Sequence, residues 1–378
     1  MQQLDFTGRI EQLQQRLADE GLDLLVATRN GTITYLTGTL APWRTAVLVP
    51  VDGQAFVVTS EYDASRIDTE GALPVSDVWK KGKDGERTFA RVVRQQIEST
   101  DAGQVGVELG HGQIPGVLTA TEYQTLADVA TLENAVTLVN DEMHKKEQGE
   151  IERLHRAAEI ADVGMQAAFE AVEPGVSETA VAGAAEEAMR QAGDQYTWAT
   201  TGTEVGAGHR QSYEDGLTVL PSDNRIERGD MVTIDLHPTY DGYLGDYAMT
   251  GIVGEPSDEQ RALADAWEEA VETLLAELVP GAVIADVAEA VEDVVEETGY
   301  AEHFFDGYVG HGLGTSARIP PVISASNTAT LQDGMVVVGL LYIGRPGVGS
   351  MRMEVPIHLT GDGNEVLTST PIELVDLW

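Results

Sequence analysis

Asp235 and Asp246 lie eleven residues apart in the stretch IDLHPTYDGYLGD, with Asp241-Gly242 between them. Asp-Gly is a tight-turn pair, so the runs on either side are expected to fold back as a hairpin. That would set two carboxylates on one sheet face, where hard or borderline divalent cations find oxygen ligands. Such a pair in so acidic a chain also reads as solvated surface. His311, in the glycine-rich run GHGLG, suits a metal ligand or a neutral, hydrogen-bonded histidine. Glu354 lies in a strand-like run where Met351, Met353, Val355 and Ile357 surround it with apolar residues, which favours a site over a surface.

The elements that must position these residues follow from apolar period. Residues 9 to 21 place Ile10, Leu13 and Leu17 at helical spacing and stop at Gly21. LDLLVAT is a buried strand, and RNGTITYLTG a turn with a short apolar segment. TAVLVPVDGQAFVVTS reads as a hairpin about Asp52-Gly53. RTFARVVRQQIEST is helical and QVGVELG a strand. This alternation gives an α/β domain over residues 1–142. One long amphipathic helix is expected through NDEMHKKEQGEIERLHRAAEIADVGMQAAFEAV, opening a second, α+β domain over 143–378. A second helix capped by Ser177 and ended by Gly193 follows, then strands alternating with two further helices.

Composition narrows the chemistry. With no cysteine among 378 residues, disulfides and thiolate metal sites are excluded. The net charge of −40 repels phosphate backbones and argues against a nucleic-acid partner. Acid is spread along the whole chain and only five of the 23 basic residues are lysine, the pattern of a cytoplasmic protein from a salt-adapted organism. In molar salt the Debye length is about 3 Å, short enough to screen such self-repulsion. No apolar run is long enough to span a membrane, and the N-terminus lacks the basic start and apolar core of a secretory signal.

The order of these segments resembles the creatinase, prolidase and aminopeptidase P family, the M24 peptidases. RIEQLQQRLADEGLDLLVATRNGTITYLTG resembles the family's N-terminal domain, and KKEQGEIERLHRAAEIADVGMQAAFEAVEPGVSE its linker and first catalytic helix. ERGDMVTIDLHPTYDGYLGDYAMT, GYVGHGLGT and MRMEVPIHLT fall where the family carries metal ligands. The resemblance implies a pita-bread catalytic domain and a homodimer. It implies that Asp235, Asp246, His311 and Glu354 are metal ligands, that Glu354 handles a proton, and that His209 in GAGHRQ contacts substrate. Trp43 and Arg44 fall where some relatives send a loop into the neighbouring subunit's site. His237 and His358 match no family role and read as structural.

Two positions depart from the pattern. The family's further glutamate, fourteen residues before the last, falls on Leu340, and no Asp or Glu occurs between Asp333 and Glu354. The histidine that peptidases of the family place after GHG falls on Arg318, and no histidine occurs between 311 and 358. Loss of an oxygen donor and gain of a guanidinium both work against a dinuclear centre. The expectation is one weakly held divalent cation (Mn, Co or Zn), or none. Three functions remain open: an Xaa-Pro aminopeptidase or prolidase-like hydrolase with an incomplete metal site, a metal-independent creatinase-type C–N hydrolase of a small zwitterion, and a non-catalytic relative. The peptidase reading comes first. In the C–N hydrolase reading His209 would be the general acid/base and Arg318, Arg345 or Arg352 would bind the substrate's carboxylate; His209 and Arg318 are candidates for catalysis in either enzyme.

Overall fold

The computed structural model of the protein describes residues 1–80, 88–111, 114–115, 118–195, 203–211, 220–304 and 308–378. They form two compact units, Met1–His144 with Gly314–Ile319, and Lys145–Leu313 with Pro320–Trp378. Among the described residues no helix is long and apolar enough to cross a membrane.

The first unit is a mixed six-stranded sheet, ordered Val75–Trp79, Phe56–Ser60, Ala46–Pro50, Leu24–Ala27, Gln104–Val107, Thr131–Asn134. The central strand is buried on both faces: Leu25 and Ala27 join one apolar cluster, Leu24 and Val26 the other. The helix Phe6–Glu20 begins where the Asp5 side chain accepts from the Gly8 N–H and ends at Gly21, whose φ of 69° is left-handed. It buries Ile10, Leu13 and Leu17 as their spacing predicts. Two local expectations change. RNGTITYLTG contains a helix, Asn30–Thr37, closed by Gly38 at φ 72°. The hairpin at Asp52-Gly53 pairs Leu48 with Phe56, so its turn takes several residues rather than two.

The long helix expected across residues 140–171 is two helices, Val136–Met143 and Gln148–Ala171. The second is started by a reciprocal cap between Glu147 and Glu150. Its buried side carries Ile151, Leu154, Ala158, Ile160 and Ala161.

In the second unit, seven strands of one sheet lie in the order Ile319–Ile323, Gly310–Gly312, Val336–Arg345, Gly349–Thr360, Tyr247–Val253, Met231–Leu236, Glu204–Ala207. Period-two alternation sorts their side chains. Val337, Leu341, Ile343, Met351, Met353, Val355 and Ile357 enter the main apolar cluster with Trp267 from the helix Asp258–Glu277 and Val287 and Val291 from Ile284–Glu297. Each fully buried aliphatic side chain there contributes about 1.5–3 kcal/mol. Trp267 Nε1 donates to the Leu341 carbonyl, which ties the helix to the sheet's middle. The residues between, Leu340, Tyr342, Arg352 and Glu354, are left for the other face.

Candidate metal centre

Strand register assembles the site. Asp235 pairs with Ala248, Ala248 with Glu354, and Glu354 with Leu340. His311 pairs with Val338, two residues before Leu340. Opposed residues share a face, as do residues two apart on one strand. The hairpin between Asp235 and Asp246 forms as expected: Thr239–Tyr240 pairs with Tyr243–Leu244, and Asp241 and Gly242 take φ of 50° and 82°, as a tight hairpin turn requires. Asp235, Asp246, His311 and Glu354 therefore meet on one face, each exposed by 2% or less.

Their hydrogen bonds define the chemistry. His311 Nδ1 lies 3.1 Å from the Gly312 carbonyl, an acceptor, so Nδ1 carries the proton and Nε2 keeps its lone pair. That Nε2 lies 3.5 Å from Asp246 Oδ2. Ligand atoms of Asp246, His311 and Glu354 all lie within 4.8 Å of one another, and so do those of Asp235, His237 and Asp246. Asp246 Oδ1 is buried and makes no hydrogen bond. A buried carboxylate oxygen so placed is costly without a cation. The donor set, carboxylate oxygens with imidazole nitrogens, fits one divalent ion of the manganese, cobalt or zinc class.

The site already contains a cation, Arg352. It is 1% exposed, its Nη2 is 2.9 Å from Asp235 Oδ2, and the same nitrogen donates to Glu354 Oε1. Burial pushes the Asp246 carboxyl well above the usual carboxylate range, and the charges of Glu354 and Asp235 push the same way. Glu354 moves oppositely: against the cost of burial, the Arg352 guanidinium holds it down at about 2. With all three carboxylates ionised, as a bound cation would require, and one guanidinium beside them, the site would carry two negative charges.

The other expected site residues are placed as follows. Arg352 is enclosed by Asp235 and Glu354 and does not present itself to a substrate carboxylate. Glu354 is held ionised by that guanidinium. Arg318 belongs to the first unit: the segment Gly314–Ile319 packs there, with Thr315 Oγ1 on the Gly31 carbonyl and Ile319 in the apolar core. Among the described residues Arg318 has no ion-pair partner, and the guanidinium acting on Asp246 and Glu354 is that of Arg352. His209 is exposed, beside Asp230. Its strand runs antiparallel to Met231–Leu236, pairing Glu204 with Asp235 and Ala207 with Val232, so the chain moves away from Asp235 before reaching it. Buried Glu178 fixes that turn by accepting from the Ala207 N–H and from Arg210. Parts of the surrounding loop, residues 196–202 and 212–219, lie outside the described residues. Arg44 is held inside the first unit by Glu122 at 2.6 Å, and Trp43 stacks obliquely on Tyr62. Arg345 is a surface residue beside Glu259.

Two features escaped the sequence. Leu340 is 4% exposed and packs with Tyr308 and Tyr342, so an apolar wall stands opposite Glu354. Tyr308 also stacks on His311, ring centroids 6.2 Å apart. The second is His237, read as structural: its Nε2 lies 3.4 Å from Asp235 Oδ1 and 3.6 Å from Asp246 Oδ1. Its spacing of two from Asp235 was the available signal.

Known proteins resemble this chain along nearly its whole length. The chain is 26% identical over 367 residues to the Xaa-Pro dipeptidase of Pyrococcus horikoshii, covering 97% of this chain and 98% of that one. It is 29% identical over 373 residues to the uncharacterized peptidase YqhT of Bacillus subtilis, covering 98% and 100%. The solved Xaa-Pro dipeptidase from Bacillus anthracis matches with a TM-score of 0.83 at 25% identity, covering 99% and 100%. The model of a creatinase/prolidase N-terminal domain matches residues 9–146, and that of metallopeptidase family M24 matches residues 152–361. With the second of these spanning more than half of the chain, and with the cluster of Asp, Asp, His and Glu on the sheet it covers, this protein belongs to metallopeptidase family M24, as a prolidase-like member with a pita-bread catalytic domain.

Proposed function

We propose that this chain is a hydrolase of short peptides of the Xaa-Pro class, working with a single divalent cation at the Asp235, Asp246, His311 and Glu354 cluster. The observation that carries this reading is the burial of those four side chains together, on separate segments of one sheet. A cation bound there polarises a peptide carbonyl and lowers the pKa of water. The chain's own residues do the rest. Arg352 fixes the Asp235 and Glu354 carboxylates. The Gly312 carbonyl sets the His311 tautomer. Leu340, Tyr308 and Tyr342 keep water from one side of the site.

Arg352 is also the observation that favours a second reading, a metal-independent C–N hydrolase of a small zwitterion, because a resident guanidinium already balances part of the cage. One experiment separates them. Protein purified in molar salt without chelator is assayed for metal, then for cleavage of Xaa-Pro dipeptides with and without chelator, beside Asp246→Asn. The peptidase reading expects near-stoichiometric metal and turnover, both abolished by Asp246→Asn. Turnover of an amidino or cyclic amino-acid substrate that resists the chelator and survives Asp246→Asn would replace it with the second.

A further inference from the structure

We propose that His237 is a metal ligand of this chain, and that with Asp235 and Asp246 it forms the seat of the cation. This rests on the reading above that the site binds a metal. Residue 237 lies two beyond Asp235, so its side chain emerges toward the face that carries the carboxylates. Its Nε2 is 3.4 Å from Asp235 Oδ1 and 3.6 Å from Asp246 Oδ1. Those distances exceed a hydrogen bond. They match two donors on one tetrahedral ion, which lie about 3.4 Å apart when each bond is about 2.0–2.1 Å. Asp246 Oδ1, buried and without a hydrogen bond, is aimed into this group. Asp235 meets Arg352 through Oδ2, and so turns its other oxygen to His237.

Accessibility selects this group over the alternative. Asp246, His311 and Glu354 are each 2% exposed or less, and Glu354 is held by Arg352. The His237 side chain is 12% exposed, so an ion on its side keeps a path to solvent and an open position, as a catalytic ion needs. Leu340 has removed an oxygen donor from beside Glu354, and His237 supplies a nitrogen donor on the Asp235 side. Asp246 then spans the site, with Oδ1 on the ion and Oδ2 toward His311.

Cobalt(II) is the probe, titrated into the full-length metal-free protein in molar salt, with Asp246→Asn as the blank and metal-free melting temperature as the fold control. Wild type is expected to bind one Co²⁺ with the intense visible bands of a four-coordinate ion. His237→Gln is expected to weaken binding at least about tenfold and to alter those bands. His237→Cys gives a second readout that does not depend on affinity. The chain has no cysteine, so a thiolate-to-cobalt charge-transfer band in this variant arises only from direct ligation at residue 237. Unchanged visible bands in His237→Gln, at any affinity, together with no charge-transfer band in His237→Cys would overturn the proposal and leave the metallopeptidase reading standing. Failure of wild type to take up Co²⁺ would sink both.

Discussion

Leu340 and Arg352 set the character of the site, one by withholding a charge and the other by supplying one. Leu340 faces Glu354 across the ladder, so Leu340→Glu returns a carboxylate to the cage. Without metal that carboxylate is buried beside Glu354, and the variant should be less stable by about 2–4 kcal/mol in denaturant. With metal the balance reverses, and cobalt should bind at least about tenfold more tightly than to wild type. Destabilisation with no gain in affinity would mean that residue 340 is out of reach of the ion. Arg352→Met makes the opposite change. It strands two buried carboxylates, and loss of one partner of such a group costs about 3–5 kcal/mol at neutral pH. The pH dependence has a fixed sign. Glu354 is held down at about 2 in the folded protein, below an unfolded value of about 4.3. Its stabilising contribution is complete above the unfolded value and fades as pH falls toward the folded one. The stability gap between wild type and Arg352→Met should therefore narrow on acidification through that window. Denaturant curves at a series of pH values, with a gap that stays constant, would count against the pairing.

Strands deliver these residues, and the strand with least freedom is Gly310–Gly312. Gly310 sits at φ 152°, and a Cβ there would meet the Val338 carbonyl oxygen at 2.3 Å. Backbone cannot yield cheaply at that distance, so Gly310→Ala must push the strand from its partner and carry His311 with it. The expected result is a loss of about 1–3 kcal/mol of stability, with weaker cobalt binding beyond what that loss explains, because Asp246, whose Oδ2 lies 3.5 Å from His311 Nε2, loses that neighbour. Binding unchanged in a folded Gly310→Ala protein would show that His311 does not depend on this strand's register. The elements themselves were largely legible. Helix periods, the Ser177 and Gly193 caps and the Asp241-Gly242 turn are local signals, and each appears where the residues imply it. The helix break before Glu147 was not, because Asp, Glu, His and Lys there are all compatible with a helix and only packing separates the two segments. At the site, residue types were legible but partnerships were not. Arg352 and His237 each lie two residues from a carboxylate on a strand, which places them on its face. Which oxygen Arg352 meets depends on strands more than a hundred residues apart in sequence.

For the molecule as a whole, the controlling quantity is a net charge of −40 on 378 residues. Much of it lies on exposed helix faces, for example Asp265, Glu269 and Glu272 along the helix Asp258–Glu277, whose opposite side buries Leu263, Trp267 and Leu274. Like charges at such spacing repel in the folded state and separate on unfolding, so dilute buffer should destabilise the protein. Salt screens this repulsion, with a Debye length of about 10 Å at 0.1 M and about 3 Å at 1 M. The melting temperature of the metal-free protein should therefore rise steeply with potassium chloride and flatten near 1 M, where the screening length falls below the spacing of neighbouring charges. A rise continuing in proportion to salt into the molar range, larger for sulfate than for chloride, would instead mark exclusion of salt from the surface. The two causes separate on acidification. Lowering the pH toward the sequence isoelectric point near 4.3 removes the net charge and should remove the screening part of the salt response. The exclusion part does not depend on net charge and should persist. A salt response unaltered between neutral pH and the isoelectric region would refute charge repulsion as its cause.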